Sequence, residues 1–188
     1  MNTSSSSLTR SLVLIVVVLI AGALFLATPG EVSANTCISN GVNDGIWNDP
    51  TAWFGCGGVI PTINDDVVIN TSNKVSVNIA TAVAKSVTVK GTLTIGRTAG
   101  TSTKLTIATG LTIISGATVN TIATDSHQLV VYSIVNNGTF IAPKSIEIGG
   151  SWSDPGTFTH NSGTVTITAS YSSLADQFSF YNLVISWI

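Results

Sequence analysis

The chain has 188 residues, a formal net charge of −2 and only 9% charged side chains. After residue 34, six Lys/Arg stand against eight Asp/Glu, which excludes both the basic stripe of a nucleic-acid binder and a long acidic tail. Thr, Ser, Val, Ile, Asn and Gly dominate instead, the residues of strands and turns, so the chain is expected to be nearly all β.

Residues 1–34 read as a signal peptide. A polar start carrying Arg10 leads into an apolar run from Leu12 to Ala27, and Val32-Ser33-Ala34 offers an A-x-A-like cleavage site before Asn35. The run is shorter than the ~20 residues a membrane-spanning helix needs. A cleaved signal is therefore favoured over an uncleaved anchor, and membrane attachment follows only from the latter. In both cases the rest is expected outside the cell or at its surface. The only cysteines, Cys37 and Cys56, lie in this exported part. An even count in an oxidising compartment favours a disulfide, worth roughly 3 kcal/mol by loop entropy. The competing reading, a structural zinc site, finds its nearest candidate imidazoles far away in sequence at His127 and His160.

Residues 35–66 are irregular and hold Trp47, Trp53, Pro61 and a glycine cluster. They are expected to form an N-terminal cap over the repeat that follows, because an open solenoid end exposes apolar core and unpaired backbone. From residue 67 apolar-polar-apolar triplets recur. Val75-Ser76-Val77, Leu93-Thr94-Ile95, Leu111-Thr112-Ile113, Leu129-Val130-Val131, Ile146-Glu147-Ile148, Val165-Thr166-Ile167 and Leu183-Val184-Ile185 follow one another at a nearly constant step, with slips of a single position. A second series runs Ile69, Val87, Leu105, Ile122, Phe140, Phe158 and Phe178. Alternate side chains of a strand point to opposite sides, so two residues of each triplet face inward. The turns leave no room for a crossover helix. The expected fold is a parallel β-helix, a β-solenoid of about seven 18-residue rungs over 67–188, with ladders such as Val75/Leu93/Leu111/Leu129 inside. An antiparallel sandwich is the competitor, but it has no reason to hold register from turn to turn.

Two stretches are similar to known families. Trp47, Trp53, Gly55, Gly57, Gly58, Pro61, Asp66-Val67-Val68-Ile69 and Val87-Thr88-Val89-Lys90-Gly91-Thr92-Leu93 resemble the opening of G8-type domains. Gly150-Ser151-Trp152, Gly156-Thr157-Phe158, Gly163-Thr164-Val165-Thr166-Ile167 and Phe180-Tyr181-Asn182-Leu183-Val184-Ile185 resemble repeats of microbial adhesin-like surface proteins. The resemblance implies an extracellular β-helix, often a module of something longer, and carries no catalytic residue onto this chain.

The candidate chemistry is thin. Asp65-Asp66 is the only adjacent acidic pair, with Asp44 and Asp49 upstream. It could supply calcium ligands or the carboxylates of a glycan-cleaving site, but a turn and strand entry after Pro61 explains it better. Arg97 lies in a loop, Gly96 to Thr103, expected to leave the rungs. Glu147 is expected outside, between Val130 and Thr166. Asp125 and His127 lack a partner nucleophile, and both histidines are expected at the surface. Trp152, Tyr171 and Tyr181 are candidate sugar platforms. Asn70-Thr71-Ser72 and Asn137-Gly138-Thr139 fit the glycosylation pattern. Flat threonine ladders can bind ice, and the expected register stacks Thr88 on Thr106 and Thr94 on Thr112, but then breaks. Strand propensity is the expected reason for these threonines.

The sequence is read as a secreted or cell-surface β-solenoid with a structural or adhesive role. It is expected to have no catalytic activity of its own and no cofactor, and to contact glycans or matrix through Asp65, Asp66, Arg97, Trp152 or Tyr171. The alternative is a polysaccharide-active β-helix, lyase or hydrolase, or a fragment of one. The chain stops at Ser186-Trp187-Ile188 straight after a triplet. This is read as a truncation, or as an open rung through which copies associate.

Overall fold

The computed structural model describes residues 34–41, 45–97, 102–122, 126–168, 174–175 and 179–186, all within one compact unit that begins at Ala34. Residues 1–33, Asp44, Asp125, Tyr171 and Phe178 lie outside the described residues.

The triplets do form short strands with alternating burial, and the strands stack in parallel into an all-β solenoid. They make three faces. Face I contains the first halves of β5 (Thr81–Val89), β7 (Lys104–Ile113) and β9 (Gln128–Asn136), then β11 (Ser145–Ile148), β14 (Thr164–Ile167) and β16 (Asn182–Ile185). Face II contains β1 (Thr36–Ser39), β3 (Asp66–Ile69), the second halves of β5, β7 and β9, then β12 (Trp152–Ser153) and β15 (Leu174–Ala175). Face III contains β4 (Lys74–Val77), β6 (Thr92–Ile95), β8 (Thr118–Thr121), β10 (Thr139–Ile141) and β13 (Thr157–Thr159). Faces I and II meet where the long strands bend. The ladder slips between Ala84 and Ser86 and between Ile107 and Gly110. One turn later β9 pairs with two separate strands, its first half with β11 and its second with β12.

The solenoid therefore has about five turns rather than the expected seven rungs. On face II, Val67 pairs with Val87, Val87 with Leu111 and Leu111 with Ile134, and each of these steps is longer than the period read from the triplets. In the two longest of these steps, Val87 to Leu111 and Leu111 to Ile134, the extra length falls between the end of β6 and the start of β7 and between the end of β8 and the start of β9. The apparent short period arose there from comparing different faces: Val87 belongs to face II and Leu105 to face I, Leu93 to face III and Leu111 to face II. The expected ladder Val75/Leu93/Leu111/Leu129 thus breaks after Leu93, which stacks on Val119. Where corners are short the expected register holds. Leu129, Ile146, Val165 and Leu183 form one ladder, Phe140 stacks on Phe158, and Glu147 lies between Val130 and Thr166.

Inward residues of the three faces fill a continuous core, Val67, Val87 and Leu111 on one side, Leu105 and Leu129 on another, Val119 and Phe140 on the third. Each such side chain contributes ~1.5–3 kcal/mol by leaving water. The N-terminal end is closed. β1 pairs with β3 and, antiparallel, with β2 (Trp53–Phe54). Trp47 and Trp53 are buried edge to face, ring centroids 5.4 Å apart, and the Trp53 indole donates to the Trp47 carbonyl at 3.0 Å. Trp47 N–H reaches Ser76 O and Ser76 N–H reaches Gly45 O, which ties this block to the first strand of face III. Cys37 and Cys56 are joined by a disulfide. Pro61 is buried in the segment that leads to β3. Towards the other end the core turns aromatic. Phe140, Trp152, Phe158 and Phe180 touch one another with centroids 4.9–6.0 Å apart. In β16, Leu183 and Ile185 continue the inward columns of Val165 and Ile167 and are 43% and 51% exposed.

Candidate functional site

Asp65 and Asp66 are neighbours in sequence but face different surroundings. Asp65 is 2% exposed and its carboxylate accepts from Asn35 N at 2.9 Å, Thr62 N at 2.7 Å and Thr62 Oγ1 at 2.6 Å. It locks the loop that enters β3 onto the start of β1. Burial works to raise its pKa, but the hydrogen bonds from Thr62 and Asn35 outweigh it and hold the carboxyl below its usual value. Asp66 points outward, accepting from Ser86 Oγ at 2.5 Å and Lys85 Nζ at 3.0 Å. The Ser86 and then the Lys85 hydrogen bond lower its pKa. Such a half-exposed pair is worth only ~0–1 kcal/mol. The two carboxylates are thus each engaged by local partners, and their geometry is that of a strand entry. Asp49 caps the 3-10 turn Pro50–Ala52, accepting from Thr51 Oγ1 at 2.7 Å and Thr51 N at 2.9 Å, which lowers its pKa. Among the described residues no three His, Cys, Asp or Glu side chains gather as a metal site.

Arg97 is exposed where the chain leaves face III. Tyr171 lies outside the described residues. Trp152, expected as a ligand contact, is 0% exposed. It pairs with Ile134 on face II, so it points inward into the aromatic cluster, and a sugar cannot reach it. His127 was expected at the surface and is also fully buried. Its Nδ1 accepts from Thr103 N at 3.2 Å, and its ring lies against Gly96, where a Cβ would collide with it. Nothing in the sequence distinguishes a histidine folded beneath a corner from one on top of it.

The structure brings forward one residue that the sequence reading passed over. Tyr132 sits at the bend between faces I and II and is 59% exposed. The next turn carries Gly149-Gly150 beneath it. A Cβ on Gly150 would lie 3.0 Å from Tyr132 Cε1 and one on Gly149 3.3 Å from Cδ2, so the ring rests on a glycine shelf. Beside it, Ser133 Oγ donates to Thr109 O at 3.1 Å and Thr109 Oγ1 to Lys85 O at 2.8 Å, a column of hydroxyls along the corner. The signal was present as Tyr132 followed one repeat later by Gly149-Gly150, but only the register joins them. Tyr181, the third aromatic candidate, is 61% exposed and stacks on His160 with centroids 5.6 Å apart. Asn70 and Asn137 of the two glycosylation patterns are both exposed, at the corner between faces II and III.

Compared with known protein families, with curated proteins and with solved structures, the chain has no significant match.

Proposed function

We propose that this protein is an exported structural and adhesive module, a stiff β-solenoid that presents its corners to extracellular glycans or matrix. The observation that carries the reading is Tyr132: a broad aromatic ring seated on glycines with a polar column beside it is how a protein offers an apolar plane and hydrogen bonds to a sugar. Export rests on the signal-peptide pattern of residues 1–34, and the disulfide is compatible with it. The resemblance to G8-type domains and adhesin-like repeats points the same way. Self-association through β16, whose apolar residues are exposed at the edge of the sheet, belongs to the same proposal.

The test is binding of the purified protein to a panel of immobilised polysaccharides and matrix components, with Tyr132→Ala alongside. Loss of binding by about tenfold in the variant, with an unchanged melting curve, supports the reading. Equal binding by the variant refutes the platform. Depolymerisation of any polysaccharide by the parent protein would refute the non-catalytic reading in favour of a polysaccharide-active β-helix.

A further inference from the structure

Face III differs from the other faces in what it turns outward. Thr92 pairs with Thr118, Thr118 with Thr139 and Thr139 with Thr157, so four successive turns carry the same side chain at the same place. Their sequence neighbours Leu93, Val119 and Phe140 are buried, which fixes the threonines on the outer side of the pleat. The second outward column of the face reads Ser76, Thr94, Asn120, then Ile141 paired with Thr159. Apart from Lys74 at its N-terminal edge, neither column carries a charge. This corrects the register read from the sequence. Thr88 stacks on Thr112 rather than Thr106, and Thr94 lies between Ser76 and Asn120 rather than on Thr112.

Strand propensity alone does not account for the column. It acts equally on face I, where the corresponding outward positions are Thr81, Lys104, Gln128, Ser145, Thr164 and Asn182. Face II repeats an outward residue once, Thr88 on Thr112, between Val68 and Val135. Among the described residues only face III holds one residue over four turns.

Stacked turns recur every ~4.8 Å, and outward residues two apart on a strand lie ~6.8 Å apart. The result is one unbroken column of threonine hydroxyl and methyl groups with the first repeat, and the second repeat is filled by threonine on two of its turns, Thr94 beside Thr92 and Thr159 beside Thr157. Both are close to the repeats of water oxygens on a prism face of hexagonal ice. Threonine suits such a surface because its branched side chain is stiff at χ1, so little rotamer freedom remains to be lost on docking. The hydroxyl bonds one water and the methyl orders its neighbours without holding them. A charged side chain would keep its own hydration shell, and these four turns contribute none. A glycan would call for an aromatic platform, whereas the aromatic rings of this face, Phe140 and Phe158, are packed into the core cluster. We propose that face III binds the surface of ice.

The experiment is ice recrystallisation inhibition by the purified protein, with crystal shape followed in a supercooled droplet. Thr118→Lys/Thr139→Lys on face III is compared with Thr106→Lys on face I. The expected result is inhibition and faceted crystals with the parent, a loss of about tenfold or more in the face III variant, and no loss in the face I variant. A parent protein that leaves ice growth unchanged overturns the proposal. So does a face III variant of full potency; if the double variant melts early, the single Thr139→Lys variant gives the same readout. Tyr132→Ala leaves this activity intact, which separates failure here from failure of the adhesive reading.

Discussion

Replacing Gly138 with alanine tests whether the corners are closed as tightly as the structure has them. Gly138 turns the chain from face II to face III. A Cβ there would stand 2.6 Å from Ile114 O, closer still to Ala117 O, and 3.0 Å from Ile113 Cγ2. Both oxygens belong to the backbone of the preceding turn and cannot rotate away. Relief must come from moving one turn off the next, an overpacking cost of ~1–3 kcal/mol. Ala117 O also accepts from Thr139 N at 3.0 Å, a bond worth about 1 kcal/mol that the shift would weaken. A total of about 3 kcal/mol should lower the melting temperature by roughly 6–12 °C in a domain of this size. Gly116 is the control. Its φ is +81° but an added Cβ meets nothing within 4 Å, so alanine there adds only left-handed strain, about 1–2 kcal/mol. Thermal melts by circular dichroism decide. Gly138→Ala melting with the parent, or Gly116→Ala falling further than Gly138→Ala, would refute the stacking of these corners.

Two more outcomes follow from the same geometry. Asp65→Ala removes the acceptor of three hydrogen bonds and should destabilise by ~2–3 kcal/mol at pH 7. Because the folded pKa of Asp65 lies below the ordinary 3.8, its contribution is present above that value and is lost as pH falls through the folded pKa. Urea midpoints at pH 7, 5 and 3 should therefore show a shallower acid loss in the variant, and parallel pH curves would count against the lock. Reducing Cys37–Cys56 should lower stability by roughly 3 kcal/mol and open the Trp47/Trp53 block to acrylamide quenching. Quenching unchanged on reduction would mean that the bridge does not hold the cap.

The inside-outside pattern was legible in the sequence because each triplet states it locally. Val75-Ser76-Val77 could only be a strand with two buried residues, and it is. Stacking was legible where the corner between turns is short, as from Leu129 through Ile146 and Val165 to Leu183. It was not legible across residues 96–103, because loop length alters register without changing any strand. The same limit governs the candidate residues. Trp152 was read by its position near a turn, yet its side of the pleat is set by Ile134 on the turn before. His127 needed the vacancy at Gly96, and Tyr132 needed the shelf at Gly149-Gly150. Each depends on a partner supplied by the neighbouring turn, and the local sequence does not contain it.

The parallel pairing also carries a consequence for how the chain assembles. Beyond the cap, each described strand finds its preceding partner within roughly one turn of chain, and never across the whole domain. Loop closure is therefore equally cheap at every step. The closed end, with its two tryptophans and its disulfide, comes first in the chain and offers β3 as a ready edge. A polypeptide released N-terminus first can add one turn at a time to that edge, like a zip drawn from its fixed end. At each moment the growing rim is the template for the residues that arrive next, and no turn has to wait for the last.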